Sequence, residues 1–318
     1  MLQIIGTCIN VVLVFLLLLV PGFFSAKKKY ITPNQVDGFS FLITNILWPA
    51  LIIDVMSKVE LSQEMIDLSV YTAGMSFAYY FVIGTCAFLY WKIRKSTRAL
   101  QGILTFATTI SNTGFIGIPL ISIALGGEAV FIAAIAEVVN DLVVFTVGIM
   151  ILQSGENGGK GLDLKAICSP GFLSVIAGIL IFIFQIPIPG FIGQTMEYLA
   201  DAVTAMAMFL LGAQLAEINM KEILHNKKIL EIMALRLLAV PAIVTVILVC
   251  FFPEKALANQ VIIMMAAMPT AACLAIFSRT YRLDYKFATT CTLSTTLGLL
   301  ATLPVWLFIL KMIENINL

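Results

Sequence analysis

Apolar residues run along this chain in ten long blocks, at 3–24, 34–56, 68–91, 99–125, 129–152, 168–187, 195–216, 229–252, 256–278 and 285–311, with short polar links between them. A helix needs about 20 apolar residues to cross a bilayer. The pattern therefore predicts an all-α polytopic membrane protein with ten transmembrane helices. Two blocks carry helix-hostile residues near their centres, where a bilayer least tolerates free backbone groups. The first is Thr108-Thr109-Ile110-Ser111-Asn112-Thr113-Gly114-Phe115-Ile116-Gly117-Ile118-Pro119, inside the charge-free run Ala99 to Leu125. The second is Met265-Ala266-Ala267-Met268-Pro269-Thr270, inside the charge-free run Ala256 to Ser278. We read them as broken helices 4 and 9 that cross.

The longest hydrophilic link, Gln153 to Lys165, divides the blocks into five and five. The division predicts a first repeat at 1–152, a linker at 153–166 and a second repeat at 167–318. Sixteen Lys and Arg residues fall on one set of alternate links and ends, against three (Lys58, Lys255, Lys311) on the other. By the positive-inside rule the first set, with the linker, is cytoplasmic, so both termini are extracytoplasmic. Five crossings per half place the halves in the membrane inverted. Pro119 and Pro269 occupy the fourth block of each half, 150 positions apart, and the stretches Val59 to Glu64 and Ile218 to Glu222 both follow a second block. Inverted repeats with matching interrupted segments fit alternating access around a midplane site.

Composition sharpens this picture by exclusion. The chain is 60% hydrophobic and 12% charged, with a mean hydropathy of +1.03, so its solvent is lipid. A net charge of +1 gives no reason to expect nucleic acid. Cys8, Cys86, Cys168, Cys250, Cys273 and Cys291 form no CxxC pair, and His225 sits in a charged link, so neither a metal site nor a histidine relay is indicated. The first block has three lysines after it and no basic residue before it, the reverse of a signal peptide, and reads as a retained helix.

Pro119 removes a helical donor from the carbonyl of Phe115, and Pro269 does the same to Met265. Gly114 and Gly117 permit the backbone of an unwound turn. Half-helix N-termini at such a crossing attract an anion, and Asn112, Thr113 and Thr270 add neutral donors. Arg236, about two turns into the eighth block, is expected to snorkel to the cytoplasmic surface, which leaves no fixed cation at the centre. Weak dipolar binding then favours a monoanion or weak acid. In the fifth block Glu137, Asn140 and Asp141 share one helical face. Intramembrane acids mark polar cavities or proton relays, and Asp141, deeper and beside Asn140, is the better proton carrier. Asp54, Asp201 and Glu217 lie near block ends, while Asn45 and Gln214 lie deeper, where they would line a path.

The strings Asn112-Thr113-x-x-x-Gly117-x-Pro119-Leu120, Ala266-Ala267-Met268-Pro269 with Ala301-Thr302-Leu303-Pro304, and Asp201-Ala202 with Met206-Ala207-Met208-Phe209-Leu210-Leu211-Gly212 resemble the auxin efflux carrier family over nearly the whole chain. That family includes bacterial permeases of the malate and malonate type. The resemblance implies a ten-helix fold similar to sodium/proton antiporters and bile-acid transporters. It also implies contact between Asn112, the Pro119/Pro269 crossing and a substrate carboxylate, with Asn140 and Asp141 beside it.

The function expected is alternating-access transport of small organic anions, weak carboxylic acids such as malate, malonate or auxin-like acids, through the cytoplasmic membrane. The alternatives are a sodium-coupled carrier of another substrate and a membrane sensor built on a transporter fold. No enzyme signature (GxGD, HExxH or DDxxD) and no ATPase motif is present. No cofactor or metal is expected, only a coupling ion, H+ or Na+, with Glu137 and Asp141 as its candidate ligands. The expected partners are the substrate and the lipid bilayer, with assembly as a homodimer left open.

Overall fold

In the computed structural model of this chain, residues 2–153, 170–216, 223 and 226–316 are described. Most of the 153–166 linker, His225, Cys168, Glu217 and the stretch Ile218 to Glu222 lie outside them. Among the described residues each of the ten apolar blocks is mostly helical. Seven helices are long and apolar enough to span a membrane, and Thr113–Leu125, Leu173–Phe184 and Ala256–Ala266 are shorter apolar helices.

The helices are α1 (Leu2–Lys27), α2 (Pro33–Leu42), α3 (Trp48–Lys58), α4 (Gln63–Ile93), α5 (Arg98–Thr109), α6 (Ile118–Leu125), α7 (Gly127–Val143) and α8 (Ile149–Gln153). There follow α9 (Pro170–Phe184), α10 (Gly190–Leu215), α11 (Lys227–Ala234), α12 (Val240–Phe251), α13 (Ala256–Ala266), α14 (Cys273–Thr280) and α15 (Tyr285–Ile316).

Four π-helical turns interrupt this series, and three end two residues before a proline. They are Ile43–Leu47 before Pro49, Thr113–Gly117 before Pro119, and Leu235–Ala239 before Pro241. A proline ring clashes with the carbonyl four residues back and offers it no donor. In each case the residue before the proline bonds five residues back instead: Trp48 N–H to Ile43 O, Ile118 N–H to Thr113 O and Val240 N–H to Leu235 O. The wider turn carries the chain past the ring without breaking the helix. At Pro241 the freed Leu237 carbonyl accepts from Trp306 Nε1 at 2.8 Å. Pro119 is thus absorbed in a continuous helix, and the unwound segment lies earlier, at 110–112.

The helices sort into two groups. α1, α2, α3, α9 and α10 pack together, and α4, α5, α7 and α11 to α15 form the second group. Within the first group, α1 and α10 meet backbone to backbone. A Cβ on Gly22 would lie 1.8 Å from Phe209 O, and one on Gly212 would lie 2.0 Å from Leu19 O. Small residues allow this approach, and dispersion then holds the pair where lipid supplies no hydrophobic drive. The crossing belongs to the second group and faces the first, with α10 packed against α6 and the 113–117 turn.

Candidate substrate site at the helix crossing

After Thr109 the chain runs extended through Ile110, Ser111 and Asn112, all buried, and the same happens around Pro269 and Thr270. The two extended pieces pair antiparallel at Ser111 and Thr270. Asn112 N–H donates to Pro269 O at 2.8 Å and Ala271 N–H to Ile110 O at 3.1 Å. Thr270 Oγ1 donates to Ala107 O at 2.8 Å, and Thr270 N–H donates to Thr295 Oγ1 at 3.1 Å. Buried backbone groups need partners, and each break finds them in the other. Thr270 is fully buried, and its hydroxyl is committed to the Ala107 carbonyl. The paired centres are 159 positions apart (270 − 111), against 150 between the two prolines.

Arg236 overturns the expectation of snorkelling. It is fully buried on the π turn before α12. Its Nε donates to Met268 O at 2.9 Å and its Nη1 to Tyr79 Oη at 2.7 Å and Thr108 O at 3.3 Å, while Nη2 bonds Ser111 Oγ. Tyr79 Oη in turn donates to Thr109 O at 3.1 Å. Met268 O and Thr108 O lie at the C-terminal ends of α13 and α5. One guanidinium therefore neutralises two negative helix ends, the geometry its forked donors suit. Among the described residues no carboxylate forms an ion pair with it.

The positive helix ends lie elsewhere in the crossing. Glu137 of α7 is buried and accepts from Thr113 Oγ1 and, at 3.3 Å, from Asn140 Nδ2. Asn140 is oriented by Tyr80 Oη, which donates to its Oδ1 at 2.7 Å. Gly114 matters here for space rather than backbone angle. It is helical, and a Cβ would sit 2.9 Å from Glu137 Oε1 and 3.8 Å from the Trp48 ring. A carboxylate thus sits against the first turn of the helix Thr113–Leu125.

The other face of that turn is open. The Asn112 side chain is 6% exposed and has no hydrogen-bond partner among the described residues. It lines a cavity of about 20 Å³ with Ser40 of α2, Leu211 and Gln214 of α10, Phe115 and Ala272. Ala272 immediately precedes α14, so the N-terminal ends of two half-helices converge on this space. Such ends favour an anion.

A family profile described as membrane transport protein matches residues 7–161 and again 157–307. The chain belongs to the auxin efflux carrier family of membrane transport proteins. It is a multi-pass membrane transporter, not an enzyme. The double match suggests an internal repeat. It is 24% identical to "Uncharacterized transporter YfdV" of Escherichia coli (strain K12), covering 98% of both chains. It is 26% identical to the "Putative malonate transporter" of Rhizobium meliloti (strain 1021), covering 92% of this chain and 95% of that one. It is also 26% identical to "Uncharacterized transporter MJ1031" of Methanocaldococcus jannaschii, over 95% and 98%.

In this auxin efflux carrier relative the remaining sequence candidates separate. Asn112, Thr113, Gly114 and Pro269 meet at the crossing, with Glu137 and Asn140 beside them. Gly117 donates its N–H to Asn112 O at 3.2 Å and faces Met268, where a Cβ would lie 3.2 Å from Cγ. Pro119 is buried in α6, outside the unwound segment. Asp141 is half-buried, and its side chain hydrogen-bonds no described residue, whereas the Glu137 carboxylate accepts from Thr113 of the crossing. Asn45 bonds its own helix at Phe41 O, 2.9 Å away. Asp54 pairs with Lys58, which also reaches Glu197, at a cavity of about 280 Å³ far from the crossing in sequence. Asp201 is exposed. Tyr79, Tyr80 and Ser40 escaped the sequence reading, and Arg236 was placed at the surface instead of the crossing. The signal for Arg236 was present, a charge well inside an apolar block, which in a membrane is a functional candidate by default.

Proposed function

We propose that this protein carries small organic anions, weak carboxylic acids, by alternating access, with the substrate carboxylate held at Asn112 between two half-helix N-termini. The observation that carries the reading is the buried Asn112, whose side chain bonds no described residue and which lines a cavity between the two helix groups. Thr113, Gly114, Gly117, Pro269 and Asn140 shape the crossing around it, and Thr270 and Pro119 support its backbone. The site suits a carboxylate because two positive helix ends meet there, while no cationic side chain lines the cavity. This favours a singly charged substrate. Ten crossings as two inverted five-helix repeats (1–152 and 167–318), both termini extracytoplasmic, complete the reading.

Where the carbonyls go supports one coupling ion over the other. Sodium would need free oxygens at the breaks, yet Met268 O and Thr108 O are taken by Arg236, and Pro269 O, Ile110 O and Ala107 O by other donors. A resident guanidinium stands where a bound cation would otherwise neutralise the helix ends, which favours proton coupling over sodium coupling.

Reconstituted vesicles supplied with labelled malonate, acetate and glycolate test this. At least one should enter with a pH gradient and without sodium. In Asn112→Ala, affinity should fall by about 1.5–3 kcal/mol, the range for a hydrogen bond to a charged group. Strict sodium dependence, or unchanged kinetics in folded Asn112→Ala, would refute the reading.

A further inference from the structure

Two anion positions share one helix end. The helix Thr113–Leu125 opens with Asn112 as its N-cap. On one face of that first turn the Glu137 carboxylate accepts from Thr113 and presses on Gly114. On the other, Asn112, whose side chain bonds no described residue, lines the small cavity that Ala272 and Gln214 complete. A helix N-terminus carries roughly half a positive charge, enough to favour one carboxylate.

Resting on the reading of the Asn112 cavity as the substrate site, we propose that an anion at Asn112 and an ionised Glu137 exclude one another, so that each anion bound loads one proton onto Glu137. The proton comes from water and adds to the Glu137 carboxylate, giving a neutral acid as the substrate's negative charge arrives. The charge balance explains why both states are tolerated in a membrane interior. Arg236 contributes one fixed positive charge. With the cavity empty, ionised Glu137 balances it. With an anion bound, the anion balances it and Glu137 is neutral. The combination of ionised Glu137 and bound anion leaves an excess negative charge at a depth where such a charge is costly.

Other groups around Glu137 do not replace it in this exchange. Tyr80 of α4 reaches Glu137 through Asn140. Tyr79 of the same helix holds Arg236 of the π turn before α12. Asp141 lies one turn further along α7, half-buried, and Cys273 opens α14 near both acids. Among the described residues none of these hydrogen-bonds the Thr113 hydroxyl, which donates to Glu137. The exchange conserves charge whichever state Asp141 holds.

The test is equilibrium binding of labelled acetate and glycolate, both monoanions, to the full-length protein in lipid nanodiscs, between about pH 6 and pH 9, where these carboxylates stay ionised. Wild-type protein should lose affinity by about tenfold per pH unit once Glu137 ionises, with one proton taken up per anion. Glu137→Gln should bind the same anion with a Kd flat across that range and take up no proton. A flat wild-type profile with sound binding overturns the exclusion and leaves the Asn112 site standing. A slope that persists in Glu137→Gln but vanishes in Asp141→Asn assigns the proton to Asp141 and also overturns it. Failure of both anions to bind at any pH removes the underlying reading, and this one with it.

Discussion

Arg236 is the side chain the crossing depends on most for stability. Replacing it with Met leaves Met268 O and Thr108 O buried without this donor. Each orphaned carbonyl costs about 1–3 kcal/mol. Arg236→Met should therefore lower the unfolding free energy in detergent by several-fold RT, read as an earlier denaturant midpoint, and Arg236→Lys should recover part of the loss, because one ammonium cannot span both helix ends. Gly114 is the opposite case. Gly114→Ala puts a methyl 2.9 Å from Glu137 Oε1. The Glu137 side chain must move, so transport rate should drop more than melting temperature does. Equal losses of both would show that Gly114 is only a packing position.

At the level of elements, the three proline-linked π turns make a specific forecast. Pro119→Ala restores an N–H and lets the 113–117 turn tighten to an ordinary α-helical one. The break at 110–112 persists, because it is held by pairing with Pro269 and Ala271 rather than by the proline. Closing the wide turn rotates its later residues and α6 by one position, about 100° around the helix axis, relative to that fixed break. Phe115 and Ile116 then leave the wall of the Asn112 cavity. Transport should fall sharply while thermal stability is kept or rises. Loss of folding in Pro119→Ala would contradict this account. These same elements show what could be read from the chain. The apolar blocks were legible because lipid imposes length and composition locally. Asn112, Thr113 and Glu137 stood out as polar residues in apolar runs. The place of the break was misjudged by several residues, since a proline is a local mark and the break is set by a partner 159 positions away. Arg236 was misplaced for a like reason: its acceptors come from Tyr79, Thr108, Ser111 and Met268, and no window of sequence contains them.

For the whole molecule, the glycine contact between α1 and α10 points to a rigid strut. Gly212→Val should separate the helices and unfold the protein, while a cross-link between α1 and α10 should leave transport intact. A cross-link between cysteines at Ser40 and Ala272, on opposite walls of the cavity, should arrest it, measured by uptake on a background lacking the native cysteines. The fixed charge of Arg236 has an electrical consequence of its own. When Glu137 takes a proton and no anion has arrived, the crossing gains one positive charge. If the crossing then moves through the full field, that charge is worth about 2.3 kcal/mol per 100 mV. An inside-negative voltage would draw the empty, protonated carrier toward the cytoplasm and hold it there. Mild acid without substrate should therefore produce a transient capacitive current on a voltage step, absent at alkaline pH, and the voltage itself would decide which side the vacant site faces.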